Sequence, residues 1–471
     1  MFLSVYTLGC KLNQLETEAI SDSFRKNGFT IIPFSKIEQQ DEEPGIIVIN
    51  TCTVTSMAEQ KARRVIRKTL KERKLACVIV TGCYAQMERA ALDALEEAPE
   101  SAGRLFIVPG EKKDRLLDMA AYLSGATGAA EETAAGVTRD AASDLPCLIA
   151  SWLDGGFTEE RDGTFRFAPE SFSSHSRGFI KIQDGCDRSC AYCRVSIARG
   201  KSRSLGADEV LGRLEALEEK GYSEAVLTGV NISQYRDPAT MELPGLLRLL
   251  LKGTTAIRLR LSSIEPDMIT DELLQVLEND RIRPHFHLSL QSGSAEVLAK
   301  MGRNYTPADA AKKAALLRMA RNDPFMACDI IVGFPGETED EFSKSFALCE
   351  EMNFAWIHAF PFSPRPGTAA FNFSGKVNEK EKTERVERLN KLAVRGRREY
   401  IRRWEGKEVE AVVEKGERLP KGLAAGVSEN YLKIRVNYGD DTLPLPGSLI
   451  RCRIKNIHVN SNFDATAEKT G

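Results

Sequence analysis

Six of the eleven cysteines lie where their thiolates could bind a metal centre. Cys186, Cys190 and Cys193 form a Cys-x3-Cys-x2-Cys pattern within one short segment. A structural zinc site is closed by four protein ligands, often as two Cys-x2-Cys pairs, and here the second pair is missing. Thiolates also bind iron–sulfur clusters, and a cubane held by three cysteines leaves one iron open to another ligand. The pattern therefore leaves two alternatives, a zinc site and a cluster with an open iron.

A second set of three cysteines is spread along the chain but shares one kind of position. Cys10, Cys52 and Cys83 each follow an apolar run that predicts a buried strand. Because ligands bind at the carboxyl edge of a parallel sheet, we expect these three thiols to converge there. The alternative is chance placement, which fits the remaining cysteines, each isolated beside apolar neighbours: Cys77, Cys147, Cys328, Cys349 and Cys452.

The elements that would position the amino-terminal thiols predict an α/β domain. In residues 1–123, short apolar runs alternate with amphipathic helical patterns, which is typical of a Rossmann-like parallel sheet. Residues 124–171 begin with a stretch of small residues that has no sustained apolar face. That composition predicts a flexible linker or an insertion.

The rest of the chain predicts two further domains. In residues 172–405, six strand–helix units follow one another and end in a long charged helix, which predicts a partial (β/α)6 version of the eight-stranded barrel. The active site would then lie at the carboxyl ends of the strands. From 406 to 468 the apolar period changes to two, which predicts a small antiparallel β-barrel of a kind that often binds nucleic acid. The predicted fold class is α/β with a carboxyl-terminal β domain.

Composition places the chain among ordinary globular proteins. It has 471 residues, 42% of them hydrophobic and 28% charged, with a formal net charge of −2. No apolar run reaches the length of a membrane span, and the opening lacks the basic and apolar regions of a signal peptide. We therefore expect a cytoplasmic protein without a membrane partner, whose thiols stay reduced and serve metal binding, catalysis or burial.

The segment GCDRSCAYC, which carries Cys186, Cys190 and Cys193, resembles the cluster motif of the radical S-adenosylmethionine (SAM) superfamily. In that superfamily the amino and carboxylate groups of SAM chelate the fourth iron of a [4Fe–4S] cluster. An electron from the cluster cleaves SAM to methionine and a 5′-deoxyadenosyl radical, and the protein positions the cofactor. The resemblance implies that SAM supplies the missing fourth ligand.

The segments TLGCKLNQLETE, VINTCTVT and VTGCYAQ resemble the amino-terminal domain of the methylthiotransferase family. In that family three cysteines hold a second [4Fe–4S] cluster with one open iron, which implies this role for Cys10, Cys52 and Cys83. HLSLQSGSAEVLAKMGRNYT and DIIVGFPGETEDEF resemble barrel motifs of the family, and the carboxyl-terminal domain resembles its RNA-binding TRAM module. The resemblance covers nearly the whole chain except the 124–170 region.

The first motif also indicates a branch of the family. TLGCKLNQLETE resembles the branch that converts N6-threonylcarbamoyladenosine beside the tRNA anticodon to its 2-methylthio derivative. The resemblance implies that one SAM methylates sulfur at the auxiliary cluster and a second gives the radical that removes the hydrogen from C2. The branches that modify isopentenyladenosine in tRNA or an aspartate of a ribosomal protein stay as alternatives. A zinc-stabilised RNA-binding protein without catalysis is the alternative from another class.

Tyr192, within the cluster segment, and two residues at the end of the second barrel strand are predicted to contact SAM. In the superfamily an aromatic at the position of Tyr192 packs near the adenine, although it could also be a loop aromatic that covers the cluster. Gly229 ends the second barrel strand, where the absence of a Cβ would let SAM approach backbone carbonyls. Asn231 follows at the strand tip, and its alternative is an ordinary turn residue.

Three further residues end the next strands. Ser263 and Glu265 lie in SSIEP, where polar side chains of the superfamily hydrogen-bond SAM, although a carboxylate before proline could also mark a turn. Gln291 ends HFHLSLQ and could reach SAM or substrate. His287 alternates inward with Gln291 along this strand, and a lone histidine in a strand is more often a satisfied core residue.

The expected partners follow from the family. They are tRNA through its anticodon loop, a reducing electron donor such as flavodoxin or ferredoxin, and a sulfur source. Basic residues in 63–74 and 394–403 and the TRAM domain would contact phosphates, unless these runs are ordinary solvated helix faces. The sequence departs from the family after Cys193, where CRVSIARG places Arg194 and Ser196 in a run that is usually apolar.

Overall fold

The computed structural model describes residues 1–39, 43–128, 141–155, 163–415, 419–439, 442–458 and 462–470. Two compact units make up the chain. The first comprises Met1–Ser173 with Arg194–Lys201, and the second comprises Ser174–Cys193 with Ser202–Gly471. Within the described ranges, no helix is long and apolar enough to cross a membrane.

A five-stranded sheet forms the centre of the first unit, and every neighbouring pair of its strands is parallel. Its strands are β1 (Phe2–Thr7), β2 (Thr30–Pro33), β3 (Ile46–Thr51), β4 (Cys77–Gly82) and β5 (Leu105–Ile107), in the order β2-β1-β3-β4-β5. Every residue of β3 and β4 is buried, as expected for strands covered on both faces. The predicted parallel α/β fold of the amino-terminal region is confirmed.

Helices cover both faces of this sheet and form two apolar cores. They are α1 (Lys11–Lys26), α2 (Ser56–Glu72), α3 (Cys83–Met87), α4 (Arg89–Glu96), α5 (Leu116–Gly128) and α6 (Ala141–Asp154). The short α7 (Val195–Arg199) also belongs to this unit and buries none of its residues. α6 lies in the segment predicted as a linker or insertion, and its Leu145 and Ile149 are buried in one of these cores. Residues 129–140 and 156–162 of that segment lie outside the described residues.

Six parallel strands form the larger part of the second unit. They are β6 (Gly178–Lys181), β9 (Glu224–Thr228), β10 (Arg258–Leu261), β11 (His285–Gln291), β12 (Phe325–Val332) and β13 (Trp356–Pro361), while the short β7 (Gln183–Asp184) and β8 (Arg203–Ser204) pair with each other. Bridges at Leu259↔Ile282 and Ile264↔Leu288 join the sheets β10-β9-β6 and β11-β12-β13. The predicted partial barrel of six βα units is therefore confirmed.

The helices between these strands follow the pattern of a βα barrel. They are α8 (Ala207–Glu219), α9 (Leu243–Gly253), α10 (Asp271–Leu277), α11 (Ala295–Met301), α12 (Pro307–Ala320), α13 (Glu339–Glu351) and α14 (Glu379–Arg403). Side-chain caps fix several of their amino termini: Thr306 accepts from the backbone N–H of Asp309, and the Asp309 carboxylate accepts from the N–H of Thr306 in return. Such a reciprocal pair satisfies two amide donors that the helix cannot use itself.

A buried ion network stabilises the barrel near its strand starts. Glu224, the first residue of β9, accepts from Arg260 Nε at 2.6 Å and from Arg283 Nε at 2.8 Å. Burial alone would raise the pKa of Glu224, but the two guanidinium groups lower it from 4.5 to about 2. Removing one partner from such a set leaves an uncompensated buried charge, which typically costs 3–5 kcal/mol.

The carboxyl-terminal strands form a closed five-stranded barrel. They are β14 (Glu408–Val413), β15 (Leu423–Ser428), β16 (Lys433–Asn437), β17 (Leu449–Ile457) and β18 (Ala465–Lys469), in the order β14-β15-β16-β18-β17. All pairs are antiparallel except β16 with β18. The predicted small β-barrel is confirmed, with one parallel pair that the period of two does not reveal.

Candidate active site

The structure brings Cys10, Cys52 and Cys83 to one edge of the amino-terminal sheet. Cys10 precedes α1, Cys52 follows β3 and Cys83 begins α3 directly after β4. Their strands β1, β3 and β4 are neighbours in the sheet. A Cβ built on Gly9 would lie 2.9 Å from the Cβ and 3.2 Å from the Sγ of Cys52, so the Cys10 loop approaches Cys52 closely.

The chemistry of these donors fits a metal group. Burial is the main cause that raises the pKa of Cys52 to about 11, and the neighbouring Cys10 and Cys83 thiolates add to it. The Cys52 thiol therefore resists ionisation unless a cation binds it, because desolvation and the nearby thiolates both favour its protonated form. A bound metal offsets both effects, since a coordinated thiol is deprotonated outright.

Hydrogen bonds among Asn13, Glu16 and Arg199 fix the chain segments that lead into Cys10 and Cys52. The buried Asn13 amide donates to the carbonyls of Leu8 at 2.7 Å and Thr51 at 3.0 Å. Its Oδ1 accepts from Arg199 at 3.0 Å, and the same guanidinium donates to Glu16 at 3.1 Å. Sequence reasoning missed the structural role of Asn13, Glu16 and Arg199, although Asn13 lies in the motif KLNQ beside Cys10.

Arg194 also belongs to the amino-terminal unit. It donates to Glu59 at 3.1 Å, to Glu88 at 2.6 Å and to the Thr53 hydroxyl at 3.3 Å. Thr53 follows Cys52 directly and also donates to Glu59. The charged residue in a run that is usually apolar is thus paired with two carboxylates, which explains how this sequence tolerates it.

In the second unit, Cys186, Cys190 and Cys193 lie in the loop that follows β7. The N–H of Cys193 donates to the Cys190 carbonyl at 3.0 Å, and Arg303 donates to the Cys190 sulfur at 3.4 Å. Burial raises the pKa of Cys186, although the Arg188 N–H and the Asn231 side chain, which hydrogen-bond its sulfur, oppose the shift. Three partly buried thiols with N–H donors aimed at sulfur also fit an iron–sulfur cluster, because such hydrogen bonds stabilise thiolate ligands.

The residues after β9 that are predicted to contact SAM, Gly229 and Asn231, lie beside this loop. A Cβ on Gly229 would lie 2.8 Å from Oε1 and 2.9 Å from the backbone oxygen of Gln183, so the close approach of Gln183 already requires a glycine. The N–H of Asn231 donates to the same Gln183 Oε1 at 2.8 Å. In the described part of the chain, the buried Oδ1 of Asn231 accepts no hydrogen bond. A bound ligand with an N–H or O–H donor could supply the hydrogen bond that this buried oxygen lacks.

Tyr192 and Glu265 have protein partners of their own. Tyr192 packs against an apolar cluster that includes Val297 and Phe334, and burial raises its pKa. Glu265 accepts from Arg303 at 3.2 Å, the arginine that also reaches Cys190. Burial raises the pKa of Glu265, and the charge of Arg303 opposes that shift. Sequence reasoning missed Arg303, which the motif KMGRNY contains.

Ser263 and Gln291 are placed differently from each other. Ser263 Oγ lies 2.9 Å from Nδ1 of His287, inside the barrel. Gln291 ends β11, where the pairing register with β12 shifts. Its backbone φ of +64° lies in the left-handed region, which residues other than glycine rarely adopt. His287 is not a lone histidine, because its Nε2 also lies 3.0 Å from Asp329 Oδ1.

The basic runs differ in how far they are already paired. On α14, Arg395 pairs with Glu350, Arg397 with Asp464 and Arg403 with Asp323. The arginines of 394–403 therefore largely serve intramolecular pairs. On α2, by contrast, Arg64 and Arg67 are exposed.

Comparison with known proteins adds to this geometry. The model of the radical SAM superfamily matches residues 180–349, and that of the uncharacterized protein family UPF0004 matches residues 3–102. The chain is 38% identical to the threonylcarbamoyladenosine tRNA methylthiotransferase MtaB of Treponema pallidum, over 96% of this chain and 98% of that protein. It is 32% identical to the MtaB of Bacillus subtilis, over 96% and 93%.

A relative from another branch and a solved structure are also similar. The tRNA-2-methylthio-N(6)-dimethylallyladenosine synthase of Geobacter metallireducens is 30% identical over 98% of this chain and 97% of that protein. The radical SAM methyltransferase TsrM from Kitasatospora setae, solved with cobalamin and a [4Fe–4S] cluster, superposes with a TM-score of 0.52. It covers 78% of this chain and 73% of TsrM at 14% identity, which shows a shared fold.

Proposed function

Because the chain belongs to the radical SAM methylthiotransferase family, we propose that it methylthiolates C2 of N6-threonylcarbamoyladenosine beside the anticodon of tRNA. The placement of the six cysteines carries this proposal. One set of three follows neighbouring parallel strands of the first unit, and the other lies in a single loop of the partial barrel. Enzymes of this family use SAM and two [4Fe–4S] clusters, and each set of three suits one cluster.

The clusters and SAM, when bound, supply the radical and sulfur-transfer chemistry, and the protein holds and orients them. We assign the auxiliary cluster to Cys10, Cys52 and Cys83, and the SAM-binding cluster to Cys186, Cys190 and Cys193. Asn13 holds the Cys10 and Cys52 loops together through its two amide hydrogen bonds. Arg303 donates a hydrogen bond to the Cys190 sulfur, the kind of contact that tunes the sulfur ligands of a cluster.

We assign the SAM site to Tyr192, Gly229, Asn231, Ser263, Glu265 and Gln291. The unsatisfied Oδ1 of Asn231 supports this assignment, since it can accept from an amino or hydroxyl group of the cofactor. The contact of Ser263 with His287 gives that serine a second role inside the protein.

For the partners, we propose that the anticodon loop of tRNA presents the target base splayed out of its stack, which single-stranded loops permit at low cost. Exposed basic residues on α2 and the carboxyl-terminal barrel would contact phosphates and fix the orientation of the RNA. A flavodoxin or ferredoxin would supply electrons, and an external sulfur source would supply the atom that is transferred. A tRNA substrate and reduced thiols suit a cytoplasmic location.

Nucleoside mass spectrometry tests the proposal. A strain that lacks the gene is complemented with the wild-type chain or with a Cys186→Ala variant, and its tRNA is digested and analysed. We expect the 2-methylthio derivative of threonylcarbamoyladenosine only with the wild-type chain. If it persists in the deletion strain while methylthiolated isopentenyladenosine or the modified ribosomal aspartate disappears, the substrate belongs to another branch.

A further inference from the structure

Three potential metal ligands lie on neighbouring strands inside the barrel and have no part in the two cysteine sites. His287 is on β11, Asp329 on β12 and His358 on β13, and Asp329 and His358 are register partners. Along β11 the partly exposed His287 alternates with the buried Phe286 and Leu288. Since successive side chains of a strand point to opposite faces, the three ligands share the inner face of the sheet.

The geometry of the three groups suits one cation. Their ligand atoms all lie within 4.8 Å of one another, and His287 Nε2 is 3.0 Å from Asp329 Oδ1. Two ligands at about 2.1 Å from a metal and at a right angle to each other are about 3.0 Å apart. The present spacing of histidine and carboxylate is therefore already that of adjacent ligands on a six-coordinate ion.

The other ring nitrogen of His287 has the partner that a ligating histidine needs. Ser263 Oγ lies 2.9 Å from His287 Nδ1. When a metal takes Nε2, the ring proton moves to Nδ1 and is donated to Ser263. Partners of this kind fix the tautomer and the ring orientation, and their loss typically weakens metal binding 10–100-fold.

We propose that His287, Asp329 and His358 bind a divalent transition-metal ion such as Fe²⁺, Mn²⁺ or Zn²⁺. Two imidazoles and one carboxylate on a single face are a ligand set that such ions accept, with the remaining positions open to oxygen ligands. The site differs in chemistry from the six cysteines, which present only sulfur. It does not depend on which base the enzyme modifies.

The neighbouring Trp356 provides an internal reporter. Its indole Nε1–H lies 3.3 Å from His358 Nδ1 and donates to it. If Nδ1 of His358 ligates the metal, its lone pair binds the metal and cannot accept a hydrogen bond. If Nε2 ligates instead, the neutral ring carries its proton on Nδ1, which then cannot accept from Trp356 either. Either way metal binding breaks the tryptophan contact, so the emission of Trp356 changes when the site fills.

Manganese titration of the full-length enzyme with both clusters reconstituted tests the site. Mn²⁺ prefers nitrogen and oxygen donors to thiolates, and its free-ion electron paramagnetic resonance signal falls as it binds. We expect one saturable site per chain in the wild type and at least tenfold weaker binding in His358→Gln and Asp329→Asn. Ser263→Ala is expected to weaken binding about 10–100-fold.

His458→Gln is the matched control, because His458 directly follows β17 and is not one of the three grouped ligands. Its affinity should equal that of the wild type. Trp356→Phe should retain binding and lose the metal-dependent change in emission. Iron content and melting temperature report whether each variant is folded and keeps its clusters.

The proposal is overturned if the wild type shows no saturable Mn²⁺ binding, or if folded His358→Gln and Asp329→Asn bind as tightly as His458→Gln. In either case the three groups are a hydrogen-bonded cluster without a metal.

Discussion

Replacing Arg194 with leucine removes a buried cation that hydrogen-bonds Thr53, the residue after Cys52, and Glu59. The side chains of Arg194 and Glu59 are 5% and 8% exposed, whereas Glu88 is 30% exposed. Leucine restores the apolar character usual for the family at this point and leaves Glu59 buried without its charge partner. We therefore expect a local loss of stability in the amino-terminal unit.

The magnitude follows from the burial of each pair. Breaking a buried ion pair typically costs 3–5 kcal/mol, while an exposed pair contributes at most about 1 kcal/mol. Because Glu88 is partly solvated, most of the loss arises at Glu59, and we take about 3 kcal/mol. One factor of ten corresponds to about 1.36 kcal/mol, so local opening should become roughly 150-fold more frequent.

Hydrogen–deuterium exchange measures this change where it occurs. Amides of α2 near Glu59 and of the segment after Cys52 should exchange roughly 150-fold faster in Arg194→Leu, since exchange reports local opening. Arg398→Leu, at an exposed position on α14, is the matched control and should change nothing in this segment. The double variant Arg194→Leu/Glu59→Gln should recover part of the protection, because the uncompensated charge is gone. Unchanged exchange in Arg194→Leu would refute the assigned role of the buried pair.

Three further changes test other parts of the structure. Gly9→Ala places a Cβ 2.9 Å from that of Cys52, so the iron content after reconstitution should fall. Gly103→Ala, which is also at positive φ but has no neighbour within 4 Å, should keep its iron. Equal iron content in both variants would contradict the steric argument. Glu224→Gln should destabilise the barrel by about 3 kcal/mol at neutral pH. The folded pKa of Glu224 is about 2, below its ordinary 4.5, so its stabilising effect is complete above pH 4.5 and is lost as the pH falls towards 2. The difference between variant and wild type in urea unfolding should therefore shrink over that range, and a constant difference would count against the ion network. Cys77→Ala should keep full iron and activity, because burial holds that thiol protonated and raises its pKa to about 11; loss of a cluster would assign it a ligand role.

Much of the architecture could be predicted because hydrophobic periodicity and the alternation of strands with helices can be read along the sequence. The apolar runs before Cys10, Cys52 and Cys83 predict strands, and parallel strands place their carboxyl ends on one edge of the sheet. The structure has these strands side by side. The period of two likewise predicts the carboxyl-terminal barrel, since half of each strand faces its core.

Contacts between distant segments could not be predicted in this way. Arg194 and Arg199 look like departures or plain charges in the sequence, and only the tertiary structure pairs them with Glu59 and Glu16. The histidine and aspartate cluster depends on the register of β11, β12 and β13, which one sequence does not specify. The inward-facing His287 and Asp329, a charge inside the apolar run ACDIIVGF, were the signals in the sequence that could have marked it.

The most direct test of the central claim combines cluster content with product formation. The purified chain is reconstituted under anaerobic conditions and given SAM, a low-potential reductant, a sulfide source and tRNA that carries threonylcarbamoyladenosine. We predict about eight irons per chain for the wild type, about four after alanine replaces any one of the six cysteines, and the 2-methylthio nucleoside only with the wild type. A colourless zinc protein without product, or product formation that survives loss of any of these six cysteines, would contradict the account.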